Sequence, residues 1–94
     1  MDEILRVLRS EQARLAHEYA VKSLAVFGSV ARNEDAEGSD LDVLVEFDQA
    51  PGFFKFLGLE KDLSRITGRT VDLVERRSMK PAIGAVVDKE AVLV

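Results

Sequence analysis

The sequence predicts an α/β (α+β) domain in which helices pack on a small mixed β-sheet. Apolar residues recur at helical spacing near the N-terminus and again after Pro51-Gly52, whereas Ser23–Phe27, Asp40–Phe47 and Thr70–Glu75 are short and strand-like, apolar throughout or alternating. These segments follow one another as α-β-α-β-α-β-α with a terminal strand. A chain of 94 residues has room for one core, and no repeat, low-complexity tract or linker divides it. Residues 1–94 are therefore read as one domain.

From about Glu3 to Tyr19, Ile4, Leu5, Leu8, Leu15 and Tyr19 give an amphipathic packing helix with Asp2 as its cap. The strand Ser23–Phe27 is buried in character, and Gly28 marks where the backbone turns sharply out of the sheet. Ser29 opens a short helical stretch through Arg32. The polar segment from Asn33 to Ser39 bends the chain back toward Asp40, which starts the next strand. After Pro51-Gly52 a helix runs to about Ile66, with Phe56, Leu59, Leu63 and Ile66 on one face and Gly68 just beyond its end. Phe53 and Phe54 at its start read as core packing or a partner contact rather than base stacking. Ser78 caps a last helix from Met79 that tolerates Pro81 in its first turn, and Ala91–Val94 forms a short strand.

Chemistry is concentrated in two signals, Gly28-Ser29 and, after a gap of ten residues, Asp40-Leu41-Asp42. Backbone N–H groups in a turn that opens a helix are unpaired, so they can hold phosphate without a charged side chain. In a strand alternate side chains share a face, so Asp40 and Asp42 lie together and repel unless a cation sits between them. Asp72 breaks an otherwise apolar strand; where that strand lies beside Asp40–Phe47 the three carboxylates converge. Three such carboxylates suit two magnesium ions about 3.5–4 Å apart, one on a triphosphate and one on the attacking hydroxyl. Each signal alone is usually a plain turn or a solvated strand end. Together they point to transfer of a nucleotidyl group from a magnesium-bound triphosphate.

The same residues resemble the signature of the DNA polymerase β-like nucleotidyltransferase superfamily and, more closely, the minimal nucleotidyltransferases (MNT) of bacteria and archaea. The likeness extends through Phe27–Arg32, Ser39–Asp42, Pro51–Phe54, Gly68–Val74 and Ser78–Pro81. It implies the polymerase β-like palm fold, with Asp40 and Asp42 binding magnesium and Asp72 completing the site and acting as, or assisting, the general base. It further implies that Gly28 and Ser29 contact the triphosphate of ATP, with Arg32 a further nucleotide-binding candidate. The family's implied partner is a HEPN-domain ribonuclease toxin, which such proteins restrain as antitoxins by transferring AMP to a tyrosine. Some relatives have degraded signatures and work by binding alone; this chain keeps the key acids. Its stretch Pro81–Val87 is poorer in basic residues than the group's.

Composition narrows the setting. Apolar residues make up 47% and charged residues 32%, as in a globular domain. A net charge of −4 argues against general nucleic-acid binding, which needs clustered cations; Arg76-Arg77 with Lys80 is only a local cluster. There are no cysteines, so neither disulfides nor a zinc ribbon are expected, and no apolar run suits a signal peptide or membrane span. The expected compartment is the cytoplasm. With the elements placed, no segment is left to enclose a small acceptor, so the second substrate is expected to bring its own recognition surface. His17 reads as a surface residue and Tyr19 as structural. Two other functions stand beside protein adenylylation: an antitoxin that masks its partner without chemistry, and transfer to a small molecule or RNA end. Neutralisation by an Asp40→Asn, Asp42→Asn protein separates the first, and free acceptors the second. The choice of nucleotide base and any self-association are open.

Overall fold

The computed structural model of the chain describes residues 1–34 and 39–94. The helix expected over Glu3–Tyr19 is two helices, α1 (Asp2–Ser10) and α2 (Gln12–Tyr19), which meet at Glu11. Ser10 Oγ donates to the Val7 carbonyl at 2.7 Å, a back-bond that bends helices at such positions. Leu8 and Leu15 remain fully buried on either side of the break, so the apolar spacing conceals it. Met1 rather than Asp2 is the N-cap; Asp2 and Glu3 occupy the first turn, where their charge suits the helix dipole. α2 ends at Ala20 in the left-handed conformation (φ 58°), and the chain enters β1 (Val21–Phe27) earlier than the expected Ser23.

β1 is followed by α3 (Gly28–Ala31) and β2 (Leu41–Phe47). Then come α4 (Phe53–Thr67), β3 (Val71–Glu75), a 3-10 turn over Arg76–Ser78, α5 (Pro81–Glu90) and β4 (Val92–Leu93). The strands form one sheet in the order β3-β2-β1-β4. β1 is antiparallel to both β2 and β4, while β2 and β3 are parallel, so the sheet is mixed as the sequence predicts. The expected polar loop from Asn33 to Ser39 falls partly outside the described residues.

Strand alternation divides the side chains between two unequal faces. Leu24, Val26, Leu41, Val43, Val45, Val71 and Leu73 join Leu5, Leu8, Leu15, Leu59 and Leu63 in the main core beneath α1, α2 and α4. Each such Leu or Val contributes about 1.5–3 kcal/mol by leaving water. On the opposite face, among the described residues, only Ala25 and Leu44 are covered, by Val87 of α5, with Phe27, Met79 and Ala91 around them. Asp42 and Glu46 of β2 and Asp72 of β3 lie on this second, thinly covered face.

α4 buries Leu59 and Leu63 as expected, and Phe56 packs on Phe47 with ring centres 6.3 Å apart. Its first turn does not enter the core. Phe53 and Phe54 are 70% and 86% exposed and touch one another edge to face, which overturns the packing half of their expected role. Tyr19 is structural: its hydroxyl donates to Asp62 Oδ2 at 2.9 Å, joining the end of α2 to α4. α5 starts at Pro81, not Met79, because the residue before a proline avoids the helical region, and Lys80 is accordingly extended (ψ 145°). Ser78 closes the 3-10 turn instead of capping that helix.

Candidate active site

Three chain segments meet at one end of the sheet. The antiparallel register sets Phe27 opposite Asp42, and the parallel register sets Asp42 beside Asp72. The turn that begins at Gly28 and two strand carboxylates thus become neighbours, although Asp42 and Asp72 are far apart in the sequence. Asp40 immediately precedes β2 and is exposed, as is Asp72; Asp42 is half-buried.

Gly28 is required twice over. Its φ of +74° is costly for any residue with a Cβ, and a methyl group built there would lie 2.1 Å from Asp42 Oδ2. The Asp42 carboxylate therefore lies directly against the turn. Phe27, the residue before α3, is extended and offers no side-chain cap to the first amides of that turn.

The electrostatics follow from this crowding. Burial, then the charges of Asp72 and Asp40, push the Asp42 carboxyl above its usual range, while Arg32 opposes the shift. Arg32 is near enough to act on Asp42, but its guanidinium donates to Glu34 and to Glu90 of α5, both at 3.0 Å. Glu90 carries no local sequence signal; only the fold brings it to Arg32. Arg76 and Arg77 lie past the opposite end of β3, Arg76 gripped by Asp88 and Arg77 by Glu75 at 2.8 Å. Both arginines of the basic cluster are thus engaged in ion pairs remote from Asp42.

As donors, Asp40, Asp42 and Asp72 present only hard carboxylate oxygens, and their mutual repulsion is the condition a divalent cation relieves. This donor set fits magnesium. Among the described residues no three acidic or histidine side chains are already drawn into one metal cage, so a cation would have to gather them.

The family described as nucleotidyltransferase domain matches residues 2–94. Over 95 aligned residues the chain is 43% identical to a candidate protein adenylyltransferase of Methanocaldococcus jannaschii, covering all of this chain and 97% of the relative. It is 38% identical to the protein adenylyltransferase MntA of Thermococcus cleftensis, covering all of this chain and 95% of that one. A solved structure of a candidate minimal nucleotidyltransferase superposes with TM-score 0.80 at 36% identity, over 96% of this chain and 92% of the other. The chain belongs to the minimal nucleotidyltransferases. Like the relatives it matches along its whole length, this minimal nucleotidyltransferase is an enzyme of the protein adenylyltransferase group. Its fold also recurs in a structure of a tri-AMPylated Shewanella oneidensis HEPN toxin in complex with MNT antitoxin. There the TM-score is 0.62 at 20% identity, over 98% of this chain and 66% of that chain. Among the described residues of this minimal nucleotidyltransferase, no helix is long and apolar enough to cross a membrane.

Proposed function

We propose that the protein transfers AMP from ATP, with magnesium, to a tyrosine hydroxyl of a HEPN-type ribonuclease toxin and so acts as its antitoxin in the cytoplasm, residues 1–94 working as one domain. The observation that carries this reading is Asp42 held between the Gly28 turn and Asp72 on a thinly covered sheet face. The names of the full-length relatives support a protein as acceptor, and the toxin complex of like fold supports the partner class.

Asp40, Asp42 and Asp72 would hold the magnesium. Bound there, it supplies neutralisation of the triphosphate's charge and acidification of the acceptor hydroxyl. The chain's own groups do the rest. Gly28 and Ser29 present backbone amides to the phosphates, and Arg32 exchanges Glu34 and Glu90 for a phosphate oxygen. Asp72 takes the tyrosine proton as the phenolic oxygen attacks the α-phosphorus. A new P–O bond forms to tyrosine, the bond to the β-phosphate bridge breaks, and pyrophosphate leaves. Catalysis is then positioning and charge compensation rather than covalent chemistry by the protein.

The test incubates purified protein with magnesium, ATP and the product of the adjacent gene, followed by intact-protein mass spectrometry. AMP added to the partner, and absent with Asp40→Asn, Asp42→Asn protein, supports the reading. A tight complex without mass change overturns it in favour of masking alone.

A further inference from the structure

Among the described strands β3 lies at the edge, bonded to β2 alone, and it carries Asp72 at its second position. Leu41 N donates to the Thr70 carbonyl at 2.9 Å, so the even-numbered backbone groups of this strand face β2. The odd-numbered amides point to the open side. Two of them are nevertheless satisfied by side chains of α4: Val71 N donates to Ser64 Oγ at 3.0 Å and Leu73 N to Glu60 Oε2 at 3.1 Å. These are the two residues that flank Asp72.

The match is geometric. Residues four apart on a helix rise about 6 Å along its axis, and residues two apart on a strand span about 6.6 Å. Glu60 and Ser64 therefore step in time with Leu73 and Val71, in antiparallel sense. Leu59 and Leu63, each one position earlier, bury their side chains and fix the rotation of α4 that brings both acceptors to the strand. Burial of Val71 and Leu73 sets which face of this short parallel edge strand is inward, and a slip of one residue would turn Asp72 toward the core; the two side-chain bonds add a direct hold on the backbone beside Asp72.

We propose that Glu60 and Ser64 are positioning residues of the active site. They clamp the backbone on both sides of Asp72 and so hold its carboxylate level with Asp42. The inference rests on the reading of Asp72 given above. A helix that also packs the core and binds α2 through Asp62 thereby sets the third carboxylate.

The test compares Glu60→Ala with Ser64→Ala, Glu60→Gln, and Asp72→Asn. Mn2+ is titrated into nucleotide-free protein and followed by water-proton relaxation, beside kcat and KM for ATP. The double alanine variant is expected to weaken Mn2+ binding and lower kcat by about tenfold or more, the scale typical of groups that orient metal ligands, with KM for ATP nearly unchanged. Glu60→Gln keeps an amide oxygen that accepts the Leu73 N–H, and should stay near wild type. A folded double variant with wild-type Mn2+ affinity or wild-type kcat, and only a lowered Tm, overturns the clamp and leaves mere edge cover. Should the double variant not fold, Ser64→Ala alone carries the same comparison with a smaller expected loss. A silent Asp72→Asn is a different failure: it removes Asp72 from the site, and the clamp loses what it positions.

Discussion

Asp42 is held where burial and two neighbouring carboxylates oppose its charge. A carboxyl whose folded pKa is raised is penalised above that pKa, and the penalty vanishes below its unfolded value. At neutral pH and without divalent cation, Asp42→Asn should leave Tm equal or higher, by the equivalent of about 0.5–1 kcal/mol for relieved like-charge contact. AMP transfer should fall more than about a hundredfold with the loss of the anchoring charge. Thermal melts beside the transfer assay check both; a clearly lowered Tm would make Asp42 a structural residue. Gly28→Ala behaves differently. The left-handed backbone alone costs a Cβ about 1–2 kcal/mol, and the methyl would also have to displace Asp42 Oδ2. A lower urea midpoint with unchanged m, together with lost transfer, is the expected pair of results.

Among elements, α2 and α4 are joined by a cluster of side-chain bonds centred on Asp62. Arg14 grips Asp62 through two nitrogens at 2.7 and 3.1 Å, and Tyr19 and Arg65 add bonds of 2.9 and 2.7 Å. These bonds, Arg14's first, hold the Asp62 carboxyl down at about 2. A depressed carboxyl stabilises the fold above its unfolded pKa, and that contribution is lost as pH falls through the folded value, here between about pH 4 and 2. Because Arg14 is 30% exposed, screening reduces the contribution to about 1–2 kcal/mol. Urea unfolding across a pH series should show that acid limb in the native protein and a flatter one in Asp62→Asn. At neutral pH the variant should be less stable by a similar amount, about 1–2 kcal/mol.

Taken whole, the molecule is lopsided. One sheet face carries nearly all the apolar core, while α5 rests on the other through Val87 and is pinned by pairs on exposed side chains, Arg32 with Glu90 and Arg76 with Asp88. Exposed pairs add little stability, and Ile83 and Val86 on the same helix are 53% and 60% exposed. Amides of α5 should therefore exchange with deuterium well before those of α4, whose Leu59 and Leu63 are wholly buried. Equal protection of the two helices would contradict this account. Among the described residues the thin cover leaves Asp72 exposed and Asp42 half-buried.

Much of this was legible in the residues. Alternation in Asp40–Phe47 told which side chains share a face, and the spacing of Leu59, Leu63 and Ile66 told which side of α4 packs, because both depend on fixed backbone periods. The turn at Gly28 was legible for a like reason. Periodicity could not show the break at Glu11, since Leu8 and Leu15 stay in phase across it, nor that Phe53 and Phe54 remain outside the core. By themselves the residues marked out the strands, α4 and the order of strands and helices, and they named the candidate acidic and glycine residues. Tertiary structure alone decided that Asp42 lies against Gly28 and level with Asp72, that Glu90 holds Arg32, and that Glu60 and Ser64 meet the edge of β3. Those are contacts between residues remote in sequence, and they are set by strand register and helix packing, which no local pattern encodes.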